Sequence, residues 1–72
     1  MRLAVNYKIE YEREEDGRWI AEVPQLPGVM AYGTTAEDAM TKAEALALRV
    51  LAERLEMAEC SLMPISIAFE AV

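Results

Sequence analysis

The segment Val23-Pro24-Gln25-Leu26-Pro27-Gly28-Val29-Met30-Ala31-Tyr32-Gly33-Thr34-Thr35-Ala36-Glu37-Asp38-Ala39 decides how this chain is read. It holds two of the three prolines and two of the three glycines. Pro24 has no N–H to give to a ladder and so ends any strand that precedes it. Leu26-Pro27-Gly28 predicts a tight turn, because proline presets φ and glycine reaches conformations that other residues avoid. Val29 to Tyr32 then reads as a short strand broken by Gly33. Thr35 is placed to cap the N2 or N3 amide of a helix. Asp38, three residues on, is placed to reach back as in a capping box. Glu37 and Asp38 also suit the positive end of the helix dipole.

Outward from this segment the periodicity is clear on both sides. Residues 36 to about 58 contain no Gly or Pro and are rich in Ala, Leu, Glu, Met and Arg, which predicts one long helix. Ala39, Ala43, Leu46, Val50 and Met57 line one face, flanked by Met40 and Ala47. Asp38, Lys42, Arg49, Glu53 and Glu56 line the opposite face. Leu48, Leu51 and Leu55 form a further apolar edge, wider than contact with one sheet requires. That edge reads equally as core or as a candidate oligomer interface.

Before the segment, Leu3, Val5, Tyr7, Ile9 and Tyr11 alternate with Ala4, Asn6, Lys8, Glu10 and Glu12, the period of a half-buried strand. Asp16-Gly17 predicts a hairpin turn. Residues 18–24 alternate again, with Trp19, Ala21 and Val23 on the apolar side. Ile20 breaks the alternation and points to partial cover of the second face. After the helix, Met63, Ile65, Ile67, Phe69 and Ala71 alternate with polar or small residues as a fourth strand, with Pro64 near its start. The expected fold class is α+β: one two-layer β-β-β-α-β domain over residues 1–72, with a helix packed on one face of the sheet. A right-handed crossover would set the fourth strand parallel beside the first.

Composition narrows the function classes. A single small core rarely supplies more than about 3–5 kcal/mol in a chain of this size, yet 54% of the 72 residues are apolar. One cysteine and no histidine leave no internal disulfide and none of the usual zinc ligand sets. The expectation is support by self-association, as a homodimer or higher oligomer. A net charge of −6 argues against direct binding of nucleic acid and suits a basic partner. No apolar run is long enough for a membrane span and no leader pattern stands at the N-terminus. A lone thiol fits a reducing interior, so the expected location is cytoplasmic.

The catalytic inventory is short. Without histidine there is no Ser-His or Cys-His pair, and Gly28 and Gly33 match no phosphate loop. Nothing near Cys60 lowers its pKa, so it reads as structural or incidental. Glu12, Glu14, Glu15 and Asp16 cluster at the first hairpin. They read as a solvated turn rather than a cation site, with Arg13 and Arg18 beside them. Tyr7, Tyr11 and Trp19 read as core rather than as a platform for stacking bases. No catalytic residue, metal ligand or cofactor is expected.

The segment Trp19-Ile20-Ala21-Glu22-Val23-Pro24-Gln25-Leu26-Pro27-Gly28-Val29, followed by Gly33-Thr34-Thr35-Ala36-Glu37-Asp38-Ala39, resembles the HicB-type antitoxin N-terminal domain. Pro24, Leu26, Pro27, Gly28, Gly33, Thr35, Asp38 and Ala39 carry the motif, with Asp38 where glutamate is usual. The resemblance extends over nearly the whole chain. It implies a β-β-β-α-β fold described as a degraded ribonuclease-H-like core. The active-site carboxylates of that nuclease are not recognisable, since Asn6 and Lys8 occupy the polar side of the first strand. It also implies a non-enzymatic protein that binds and occludes a small basic RNA-cleaving toxin of the HicA type. The sequence ends directly after the fourth strand, so the expectation is a stand-alone form without the DNA-binding domain usual in full antitoxins. The alternative expectation is a small homo-oligomeric ligand-binding or regulatory protein with no toxin partner, its pocket at Pro24–Gly33.

Overall fold

A computed structural model describes residues 3–57 and 65–72. Five elements follow in order: β1 (Leu3–Arg13), β2 (Trp19–Glu22), β3 (Met30–Gly33), α1 (Ala36–Met57) and β4 (Ile65–Ala71). The strands form one mixed sheet in the order β3-β2-β1-β4. β2 is antiparallel to β1 and β3, while β4 runs parallel to β1. This is the expected α+β arrangement, including the parallel fourth strand. Cys60, Met63 and Pro64 lie outside the described residues, as does the expected end of the helix at Ala58. No helix of the described residues is long and apolar enough to cross a membrane.

Both hairpins are closed by glycine. Glu14 N–H donates to the Arg18 carbonyl at 2.7 Å and Gly17 N–H to the Glu14 carbonyl at 3.0 Å. Gly17 has φ 92° while no non-glycine residue has positive φ. The loop is therefore a three-residue turn whose one left-handed position falls on Gly17. In the second connection Leu26 N–H donates to Val23 O and Val29 N–H to Leu26 O. Pro27 and Gly28, the latter at φ 85°, take the two central positions of a type II turn. Val23 N–H donates to Val29 O and closes the base of this double turn.

Pro24 limits β2 by chemistry that can be followed atom by atom. The Glu14–Arg18 bond sets which β1 residues turn their amides toward β2, and bonding pairs recur every second residue. With Glu10 opposite Glu22, the next bonding pair would join Lys8 to Pro24, which has no N–H. That pair loses the bond to the Lys8 carbonyl, and Lys8 N–H reaches the side-chain Gln25 Oε1 at 3.4 Å. The first half of β1 therefore pairs with β4 alone, from Leu3 opposite Ile65 to Ile9 opposite Ala71.

The core is small. Its buried members are Ile9, Ala21, Val23, Leu26, Val29, Ala39, Ala43 and Ala47. Alanine at four-residue intervals brings α1 close to the sheet, and Leu26 folds back from the loop beneath it. Three expectations need correction. Gly33 does not break β3; it is its last residue, paired with Trp19. A Cβ there would come within 2.5 Å of the Ala39 backbone nitrogen, so glycine makes room for the helix start. Tyr7 and Trp19 are half-buried on the helix-facing side and pack against the core as expected, but Tyr11 on the same side is 39% exposed. Met57 is exposed rather than core, because every residue from Ala52 to Met57 extends past the sheet's cover.

Candidate functional site

The motif residues build architecture. Leu26 is among the largest fully buried side chains; Pro24, Pro27 and Gly28 shape the turn around it. Thr35 Oγ1 accepts from the Asp38 amide at 3.0 Å, the expected cap. The return arm differs from a standard capping box: Asp38 Oδ2 accepts from Thr34 N–H at 3.1 Å, one residue further back than Thr35. The same oxygen pairs with Lys42 Nζ at 3.2 Å. The Thr34 amide first, and Lys42 second, hold the Asp38 carboxyl below its ordinary value. Ala39 lies fully buried one turn into the helix. The segment's apolar side chains Leu26 and Val29 thus fill the core, while Met30 and Tyr32 of the same segment stay exposed.

The surface chemistry lies on the sheet face turned away from α1. Alternation places Lys8, Glu10 and Glu12 of β1, Ile20 and Glu22 of β2, Met30 and Tyr32 of β3, and Glu70 of β4 on this side. Glu10 stands directly opposite Glu22, and Glu12 opposite Ile20. Across the next ladder Ile20 meets Tyr32, and Glu22 meets Met30. Like charges directly opposite one another destabilise a sheet. Among the described residues no ion pair reaches Glu10, Glu12 or Glu22. A groove of 180 Å³ runs between them, lined by Glu10, Tyr11, Glu12, Ile20 and Glu22. Met30 and Tyr32 remain 44% and 43% exposed along its β3 margin. Ile20 is half-buried, as its break in the alternation anticipated.

Arg18 closes one end of this surface. Its guanidinium lies 4.5 Å from the centre of the Tyr32 ring, a cation–π distance, and its Nε bonds Asp16 Oδ2 at 2.8 Å. Arg18 N–H donates to Asp16 Oδ1 at 3.1 Å. The Arg18 backbone amide is the leading cause of a lowered Asp16 pKa, with the guanidinium adding to it. The acidic hairpin expected to be a solvated turn is therefore tied to its own arginine, and no cluster among the described residues has the makings of a metal site.

Sequence reasoning named the glutamates of β1 as its polar side but did not bring Glu22 and Glu10 together. That pairing depends on the register, which the three-residue loop sets. Leu48 and Leu55 are exposed at 46% and 47%. Leu51 between them is half-buried and packs against the core. The candidate apolar edge is therefore on the surface at two of its three positions. No family model, curated protein or solved structure matches this chain.

Proposed function

We propose that this chain is a non-enzymatic protein-binding module that covers a small basic partner, in the manner that its resemblance to HicB-type antitoxins implies for HicA-type RNA-cleaving toxins. The observation that supports the reading is the outer sheet face. Glu10, Glu22 and Glu12 are set side by side around a groove, at a cost in sheet stability, next to the exposed apolar side chains Met30 and Tyr32. A partner that brings Lys or Arg to the groove relieves the cross-strand repulsion, and its apolar neighbours gain burial on β3. The carboxylates also steer a basic partner's approach, raising the association rate more than the affinity. Inhibition on this scheme is occlusion: the sheet covers the partner's basic, RNA-binding surface and no bond is made or broken.

The test is reconstitution with the product of the adjoining reading frame. A small basic protein that cleaves RNA should lose that activity at one equivalent of this chain. Glu10→Lys with Glu22→Lys should restore cleavage, and added salt should weaken the native complex by screening. An adjoining product that is unaffected, or RNA cleavage by this chain itself with a divalent metal, would overturn the reading.

A further inference from the structure

Among the described residues, α1 covers only half of the helix-facing side of the sheet. α1 lies over β3 and β2 and reaches β1, while the inner side chains of β1's first half and of β4 stay half-exposed: Val5, Tyr7, Ile67 and Phe69. Tyr7 and Phe69 stack at 5.8 Å and 26° and form the floor of a trough. Its wall is the helix. β1, β3 and β4 all point the same way, and connections of the β3–α1–β4 kind are right-handed as a rule. At 100° per residue, the surface of α1 then turns from the buried line Ala39–Ala43–Ala47 through Met40 and Leu51 to Leu55 and Leu48 on the β4 side. The spacing of Leu48, Leu51 and Leu55 makes one continuous ridge. Ridge and floor therefore belong to a single surface.

We infer that this trough is filled by the helix of a second copy of the chain in a two-fold dimer, with the Leu48–Leu51–Leu55 ridge of each copy lying on Tyr7, Ile67 and Phe69 of the other. Three observations select a second copy. The first is area. The chain exposes 5409 Å², whereas a compact monomer of 8.1 kDa exposes about 4,500 Å². Leu48 and Leu55, 46% and 47% exposed, contribute apolar area to this excess, and a standard interface takes roughly 800 Å² from each partner. Its radius of gyration, 13.7 Å, likewise exceeds the value of about 11 Å expected for this length. The second is self-complementarity: a two-fold axis carries a ridge into the groove beside it, as an isologous contact requires. The third is the placement of charge. A chain of charge −6 repels its copy, but Glu10, Glu12, Glu22 and Glu70 lie on the outer face. Asp38, Lys42, Arg49, Glu53 and Glu56 occupy the far side of the helix. Among the described residues, Glu37 and half-buried Glu44 share the ridge's side of the helix ahead of Leu48, and Arg54 stands between Leu51 and Leu55.

Sedimentation of the native chain tests this directly. The expected result is twice the 8.1 kDa mass, with a melting temperature that rises over a roughly hundredfold concentration range. Leu48→Glu with Leu55→Glu alters positions already exposed in one chain, so the fold should survive by circular dichroism while the dissociation constant rises about tenfold or more. Ile67→Glu, on the floor, should do the same. Hydrogen exchange on the native chain gives a readout without variants: protection over residues 48–57 should grow with concentration. A native chain that stays monomeric throughout the range overturns the inference. So does a dimer that keeps its native affinity in both the ridge and the floor variants, or one that Glu12→Lys on the outer face dissolves.

Discussion

The two halves of the helix-facing sheet surface are built from opposite materials. Over β3 and β2, the buried residues beneath α1 are small or compact: Ala21, Val23, Val29 and Gly33, met by Ala39, Ala43 and Ala47 from the helix, with Trp19 half-buried against them. Over the first half of β1 and over β4 they are large and half-buried: Tyr7, Phe69 and Ile67, with Tyr7 and Phe69 packed against the core. A helix approaches a sheet only as closely as the side chains between them allow, so alanine on both sides gives tight cover at little volume. Aromatic side chains have the most area to bury per residue, and Tyr7, Phe69 and Trp19 each keep part of theirs exposed. The contrast teaches that the stability of one chain and its capacity for association are assigned to different strands.

Truncation gives the largest break in that comparison. Leu26→Ala empties the covered half beneath α1 and should cost about 2–5 kcal/mol by chemical denaturation. Tyr7→Ala removes a bigger side chain from the uncovered half. In dilute solution it should cost clearly less, and it should cost more as concentration rises and the second copy covers it. Equal costs for the two at low concentration would mean that the halves are packed alike. Enlargement sharpens the same point: Ala43→Leu, at a fully buried helix position, should destabilise by about 1–3 kcal/mol through overpacking, despite leucine's good helix propensity.

Much of the covered half could be read without coordinates. Thr35 and Asp38 announce a helix start because capping is chemistry between near neighbours. Pro27-Gly28 announces its turn for the same reason. The alternation from Leu3 to Glu12 gives β1 its two faces. The unread parts depend on distance in space. That Gly33 serves the approach of Ala39, rather than ending a strand, follows from where the helix lands. The half-exposure of Tyr7 and the exposure of Met57 follow from the lateral position and length of α1 relative to the sheet. The Glu10–Glu22 juxtaposition needs a register in which a single-residue slip would turn every side chain over. That register is held by Gly17 and stopped by Pro24, two signals whose joint consequence appears only when the ladder is counted.

The helix start offers a smaller test of how the covered half is held. Thr35→Ala removes the hydroxyl that accepts from Asp38 N–H and should cost about 1 kcal/mol, with no change in the concentration dependence of melting. A larger effect on association than on folding would place the helix terminus in the interface, contrary to the trough.

The smallest effect is read through pH at Asp38. Its carboxylate accepts from the Thr34 amide and pairs with Lys42, and both lower its folded pKa below the ordinary 3.8. The unfolded chain therefore binds the proton more readily than the folded one, so this group's stabilisation is complete above the unfolded value and fades as pH falls through the folded one. The side chain is at the surface, where solvent weakens the pair with Lys42, so the contribution is modest. Asp38→Asn keeps an oxygen for the Thr34 amide but has no charge to titrate. Its melting temperature should lie below the native chain's near neutrality, and the gap should close as pH falls below 3.8. Curves that run parallel through that window would mean that the Asp38 charge does not help to fix the start of α1, leaving Thr35 and the close fit of Gly33 against Ala39 to hold the helix on the covered half.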